Sequence, residues 1–185
     1  MLKQVLLFFF WFFGWKFQGG LPGEIKRCVM VAAPHTSNWD FVIARAAFYR
    51  MNVPVRFVIK REWLHKFWVG GLLRESGAVG VNREKSMNKV DALAALLAGE
   101  EDIIMLIPPE GTRNRVPKWK TGFYYAALKA RVPIVLSYLD YGKRIAEIGP
   151  WFMPTGDFQA DMELLKSYYK DIKGRYPENF CLDIY

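Results

Sequence analysis

The sequence predicts a single α/β domain, a mostly parallel or mixed sheet covered by helices on both faces, led by a helix that lies at a membrane interface. Three observations point there. At 185 residues the chain is long enough for one domain with a sizeable core and too short for two ordinary ones. Short apolar runs of strand length alternate with longer segments of helical spacing, the pattern of strands and helices in turn. The first apolar run, residues 5–13, is unbroken, rich in phenylalanine and flanked by Lys3 and Lys16, which suits a lipid boundary better than a core. The division expected is an interfacial segment over residues 1–20 and a domain over residues 21–185.

Each element has its own signal. A helix over residues 2–17 would reach roughly 24 Å, short of the ~30 Å needed to span a bilayer, so it lies in the interface or dips part way. A cleaved leader would need a small-x-small site, and Gly14-Trp15-Lys16-Phe17-Gln18 stands there instead. A buried core helix is disfavoured because its aromatics cover every face. Residues 28–33 read as a buried strand, and Ser37 or Asn38 can cap a helix through residues 41–50. A strand over 55–59, a helix over 62–68 and a strand over 78–81 follow. Ser86 can cap a helix whose inner face is Val90, Leu93, Leu96 and Leu97. Residues 103–107 are the clearest buried strand, 120–130 a helix, and 133–139 and 144–148 further strands. A last helix starts near Asp157 and fades by Gly174.

Composition narrows the function. The chain is 52% hydrophobic and 16% aromatic, with mean hydropathy +0.01, too apolar for disorder. A net charge of +8 attracts polyanions such as anionic lipid, nucleic acid or phosphorylated substrates. No nucleic-acid module accompanies it. Cys28 and Cys181 sit near opposite ends with no Cys or His spacing of a metal site, which fits a reducing compartment and no metal.

Two short polar signatures follow predicted strands, and loops at strand carboxyl ends gather on one edge of such a sheet. The first is His35-Thr36-Ser37-Asn38-Trp39-Asp40. With His35 in the loop and Asp40 in the first helical turn, the carboxylate can bond one ring nitrogen. The other nitrogen is then free to take a proton from a hydroxyl, and neither Thr36 nor Ser37 is needed as a nucleophile. The plainer alternative is that His35 caps the helix and Asp40 favours its positive end. The second signature is Pro109-Glu110-Gly111-Thr112-Arg113. Gly111 permits close backbone approach, Arg113 supplies a planar fork for phosphate, and Glu110 can orient that arginine or hold the loop. Arg115, Lys118, Trp119 and Lys120 extend a cationic stretch whose tryptophan suits a membrane boundary or phosphates. His65, among Trp63, Leu64 and Phe67, is expected to be partly buried or on the surface, without a role. Ser86-Met87-Asn88-Lys89 fits S-x-x-K but lacks the companion signatures of that hydrolase class.

These blocks resemble the glycerolipid acyltransferase family. His35 to Asp40 matches its H-x-x-x-x-D block, Gly77-Ala78-Val79-Gly80-Val81-Asn82-Arg83 is similar to its glycine-to-arginine block, Pro109 to Arg113 is its P-E-G-T-R block, and Val132-Pro133-Ile134-Val135 looks like the fourth. The resemblance implies that His35 is the general base and Asp40 its orienter. It also implies that Arg83, Glu110, Gly111, Thr112 and Arg113 bind the acceptor's phosphate and shape the site. The activity implied is transfer of a fatty acyl group to the hydroxyl of a lysophospholipid such as lysophosphatidic acid. The donor would be an acyl thioester, acyl-CoA or acyl-ACP (acyl carrier protein), with no cofactor, on the cytoplasmic face of a membrane (the inner membrane in a bacterium). Pro34, Gly80, Asn82 and Leu136 depart from the residues usual in those blocks. They leave the base intact but leave room for another lysophospholipid, or an aminolipid precursor, as acceptor. The competing expectation is a non-catalytic basic protein that binds anionic lipid.

Overall fold

The computed structural model describes residues 2–60, 65, 70–75, 77–81, 89–99 and 102–183. In chain order the described elements are α1 (Leu2–Phe12), β1 (Lys16–Gly19), β2 (Arg27–Ala32), α2 (Trp39–Met51), β3 (Val55–Lys60), α3 (Gly70–Glu75), β4 (Ala78–Val81), α4 (Lys89–Gly99), β5 (Ile103–Ile107), α5 (Gly122–Ala130), β6 (Ile134–Asp140), β7 (Ile145–Phe152) and α6 (Phe158–Tyr169). The strands form one sheet in the order β1-β7-β6-β2-β5-β3-β4. Every neighbouring pair is parallel except β6 and β7. The α/β class and the mixed sheet expected from the sequence are what the chain builds.

The central strands read as continuous apolar runs because both of their faces are covered. Alternate side chains of β2, β5 and β6 point to opposite sides. Val29, Val31, Ile103, Met105, Ile134 and Leu136 pack with Leu97 of α4, Phe123 and Tyr124 of α5 and Leu165 of α6. Cys28, Met30, Ile104 and Val135 pack on the other side with Phe48 of α2. Burial pushes the Cys28 thiol up to about 12, so it is an unreactive part of that core.

Two expectations are corrected. The leading helix ends at Phe12, five residues before residue 17, and a strand that the sequence reading omits, β1, follows at once. Gly14 makes the stop. At φ +70° it donates to the Trp11 carbonyl at 2.8 Å, while the Trp15 amide reaches back to Phe10 at 3.1 Å. These are the two bonds of a Schellman cap, and the hydrophobic contact that accompanies such caps is Phe10 on Trp15, ring centroids 5.9 Å apart. β1 then pairs in parallel with β7, Lys16 opposite Ile145 and Gly19 opposite Ile148.

The cap also turns one side of α1 inward. Phe10, with Leu6 four residues earlier, packs against Trp15, Ala46, Ala47, Leu139 and Ala146, and Phe17 stacks on Phe10 at 4.1 Å. Val5, Phe8, Phe9, Trp11, Phe12 and Phe13 stay exposed. Among the described residues no helix is long and apolar enough to cross a membrane. The expected helix over residues 62–68 lies outside the described residues apart from His65, which is exposed, and Ser86 lies outside them too.

Candidate active site

β2 and β5 are parallel neighbours, Val31 opposite Ile107, so the loops that leave their carboxyl ends emerge side by side. The first loop carries His35 and the second Glu110 to Arg113. A hydrogen bond ties them: the His35 backbone N–H donates to Oε1 of Glu110 at 2.9 Å. The two signatures, 75 residues apart, therefore share one rim.

Asp40 stands in the first turn of α2, where the positive end of the helix favours a carboxylate. It is 5% exposed. Its Oδ2 lies 3.0 Å from Nδ1 of His35 and accepts the amides of Thr36 and Ser37, each at 2.9 Å. Its Oδ1 accepts the Tyr141 hydroxyl at 2.6 Å. A carboxylate can only accept, so Nδ1 carries the proton and Nε2 is left as the basic nitrogen. The His35 side chain is 24% exposed, enough to meet a substrate. Of the plainer alternative only the half about Asp40 applies: the His35 ring does not cap the helix but bonds the aspartate, while Ser37 Oγ takes the Trp39 amide at 3.2 Å. Thr36 Oγ1 takes the Tyr176 amide at 3.2 Å, and both hydroxyl residues are buried. Neither is placed as a nucleophile.

Glu110 does not orient Arg113. It is 2% exposed, Oε1 holds the His35 loop, and Oε2 has no partner among the described residues. Desolvation pushes its carboxyl above the usual 4.5, with the His35 amide pulling the other way. The backbone here folds tightly: Gly111 donates to Pro108 and Lys120 to Pro109. Gly111 has φ +66°, and any Cβ there would collide with the Lys120 side chain, so Lys120 lies across this loop as a second cation. Thr112 is half-buried and Arg113 exposed on the same loop. Arg83 lies outside the described residues. Trp119 is a correction: it is buried against Tyr169 and Phe180, with Nε1 donating to the Cys181 carbonyl at 2.9 Å, and faces neither lipid nor phosphate.

Sequence reasoning missed the residues that reach this rim from other elements. Tyr141 comes from the turn after β6. The segment after α6 crosses the His35 loop, where a Cβ on Gly174 would stand 2.8 Å from Thr36 Oγ1 and 3.1 Å from Pro34 Cβ. It brings Arg175 over the Trp39 ring at 5.6 Å and the Tyr176 ring at 5.9 Å. No motif spacing carries these contacts. A groove of about 610 Å³ lies at the opposite edge, lined by Lys26, Arg27, Asp102, Arg131 and Pro133 where β2, β5 and β6 begin, and plays no part in this constellation.

Comparison with known proteins gives the family and the fold. The family model described as Acyltransferase matches residues 22–137, which include both signatures. The chain is 28% identical over 181 residues to the 1-acyl-sn-glycerol-3-phosphate acyltransferase of Haemophilus influenzae, covering 86% of this chain and 73% of that one. It is 32% identical over 137 residues to the human 1-acyl-sn-glycerol-3-phosphate acyltransferase beta, covering 69% of this chain and 47% of that one. The crystal structure of the 1-acyl-sn-glycerophosphate (LPA) acyltransferase PlsC from Thermotoga maritima superimposes with a TM-score of 0.61 at 16% identity, over 92% of this chain and 75% of that one, a likeness of fold. The ordered signatures, the strand-end rim that joins them and the family match lead to one conclusion: the chain is an enzyme of the acyltransferase family.

Proposed function

We propose that the enzyme moves a fatty acyl group from an acyl thioester, acyl-CoA or acyl-ACP, to the free hydroxyl of a lysophospholipid, lysophosphatidic acid foremost, at a membrane surface. The observation that carries this is the 3.0 Å contact between Nδ1 of His35 and Oδ2 of Asp40 on the rim that also holds Arg113 and Lys120. The names of the Haemophilus and human relatives support the acceptor.

Chemistry follows from the groups. Nε2 of His35 takes the proton of the acceptor hydroxyl as its oxygen bonds the thioester carbonyl carbon. Asp40 offsets the charge of the imidazolium. Collapse of the tetrahedral intermediate breaks the carbon–sulfur bond, and the imidazolium returns the proton to the departing thiolate. The acyl group passes directly between substrates, since the hydroxyls of Thr36 and Ser37, the described ones beside His35, are buried and bonded to backbone amides. The amides of Thr36 and Ser37 are occupied by Asp40 and that of Gly111 by Pro108, so these three are not the donors for the oxyanion. Arg113 and Lys120 meet the acceptor's phosphate, Arg113 through two parallel bonds. Arg83, by the family resemblance, joins them. Glu110 serves the acceptor indirectly, by holding the His35 loop against the loop after β5.

Membrane association rests on the exposed side of α1, where Phe8, Trp11 and Phe12, with Phe13 just beyond the helix, stand exposed between Lys3 and Lys16. Partitioning there raises the local concentration of a lipid acceptor. We infer that this face meets the cytoplasmic leaflet. The test is purified enzyme with lysophosphatidic acid and other lysolipids, crossed with acyl-CoA and acyl-ACP, reading diacyl product by mass spectrometry and thiol release. Product from lysophosphatidic acid is expected. Thiol release in none of the combinations would sink the proposal.

A further inference from the structure

The acyltransfer reading uses His35, Asp40 and the loop after β5, yet leaves one contact of the site without a purpose. Oδ1 of Asp40 accepts the Tyr141 hydroxyl at 2.6 Å, from a residue 101 positions away. Tyr141 is itself held firmly. Its N–H donates to the Lys173 carbonyl at 2.8 Å, and its ring packs beside Phe10, Ala46, Leu139 and Ala146. The Trp15 ring meets it edge-on, centroids 5.0 Å apart at 89°. That tryptophan belongs to the cap that ends α1.

We propose that Tyr141 is a positioning residue for the base: its hydroxyl pins the outer oxygen of Asp40 so that the inner oxygen stays on Nδ1 of His35, and Trp15 clamps Tyr141. The seating of the leading helix thereby sets the geometry of the base. The effect on rate rests on the acyltransfer reading; the effect on the imidazole does not.

Desolvation, and then the Asp40 carboxylate, push the Tyr141 phenol up while Arg175 works against them, so the hydroxyl remains a donor. Removing it leaves a buried carboxylate oxygen unsatisfied and its charge less shared. The field at Nδ1 grows and favours the imidazolium, while the freed carboxylate can swing and misalign proton transfer. Among the described residues, the other charged groups on the elements around the pair include Glu110, Arg113 and Lys120 on the loop after β5, Lys173 and Arg175 on the segment after α6, Asp140 and Lys143 beside Tyr141, and Arg144, which donates to the Phe13 carbonyl. Tyr141→Phe changes the charge of none of them, but it removes the hydrogen bond that the Tyr141 hydroxyl shares with the Arg175 side chain.

Two histidines make the test direct, since exposed His65 is an internal control for His35 in the full chain labelled with 15N-histidine. In Tyr141→Phe the His35 titration midpoint is expected to rise by about half a pH unit or more, with His65 unmoved. With lysophosphatidic acid, kcat should fall about tenfold, KM should stay within about twofold, and the acid limb of the kcat/KM profile should move with the imidazole. Trp15→Leu removes no hydrogen-bonding group of the site but loosens the ring that holds Tyr141 against Asp40, and should move His35 in the same direction by less. It also carries the test if Tyr141→Phe does not fold. An unmoved His35 midpoint in either variant, or an unaltered kcat and acid limb in Tyr141→Phe, overturns the proposal. A moved midpoint in an enzyme that acylates no lysolipid upholds the positioning and refutes the acceptor instead.

Discussion

His35 spends its Nδ1 on Asp40, and the consequences of breaking that pair are separable. His35→Ala should lower kcat by about 10²–10⁴-fold, the range of general-base assistance, while the circular dichroism spectrum and melting temperature stay near wild type because the ring is partly exposed. Asp40→Asn removes the charge and can offer an N–H to Nδ1, which forces the other tautomer, so acyl transfer should drop about as far. Glu110 makes a different prediction, about stability. Its folded carboxyl titrates above its unfolded value of 4.5, so the folded state binds its proton more tightly. Its contribution is then fully present below pH 4.5 and is lost as pH rises through the folded value. Glu110→Gln keeps an oxygen for the His35 amide and cannot ionise. Its melting temperature should therefore fall less between acid and neutral pH than that of the wild type, by calorimetry across that range. A steeper fall would mean that the native carboxylate is charged and paired.

α1 and its cap divide cleanly into a structural and a surface side. Phe10→Ala should cost about 3–5 kcal/mol in chemical denaturation, since the ring is 4% exposed and packs on Trp15 and Phe17. Gly14→Ala should cost about 1–2 kcal/mol from its φ of +70° alone. Ser at Phe8, Trp11 and Phe12 together should leave stability near wild type and weaken flotation with vesicles, and unchanged flotation would remove the interfacial assignment. Most strands and helices were legible because short unbroken apolar runs and 3.6-residue periodicity are local signals. β1 was not, because Lys16-Phe17-Gln18-Gly19 has no apolar alternation and exists only by pairing with β7. The helix stop was readable in principle, as a glycine followed by an apolar residue that folds back. The His35 and Glu110 loops were legible as motifs, whereas Tyr141 and Arg175 reach the rim through tertiary packing that no spacing encodes. Trp119 was misread because its charged neighbours Lys118 and Lys120 face out while it turns in.

For the whole molecule, the proposed membrane association has two physical sources, the net charge of +8, which would draw the protein to an anionic bilayer, and the exposed apolar side of α1, which would then bury itself there. Raising salt should therefore slow acylation of a vesicle-borne acceptor more than that of a short-chain, freely dissolved one, as a ratio of initial rates at low and high ionic strength. Equal slowing would place the salt effect on the phosphate of the acceptor rather than on docking. The parallel pairing of β1 with β7 carries a practical warning. Trimming the greasy first twenty residues to ease purification would strip a neighbour from β7 and leave a raw row of backbone amides and carbonyls at the margin of the sheet. Such a shortened enzyme should self-associate on a sizing column, so the attempt to gain solubility would lose it.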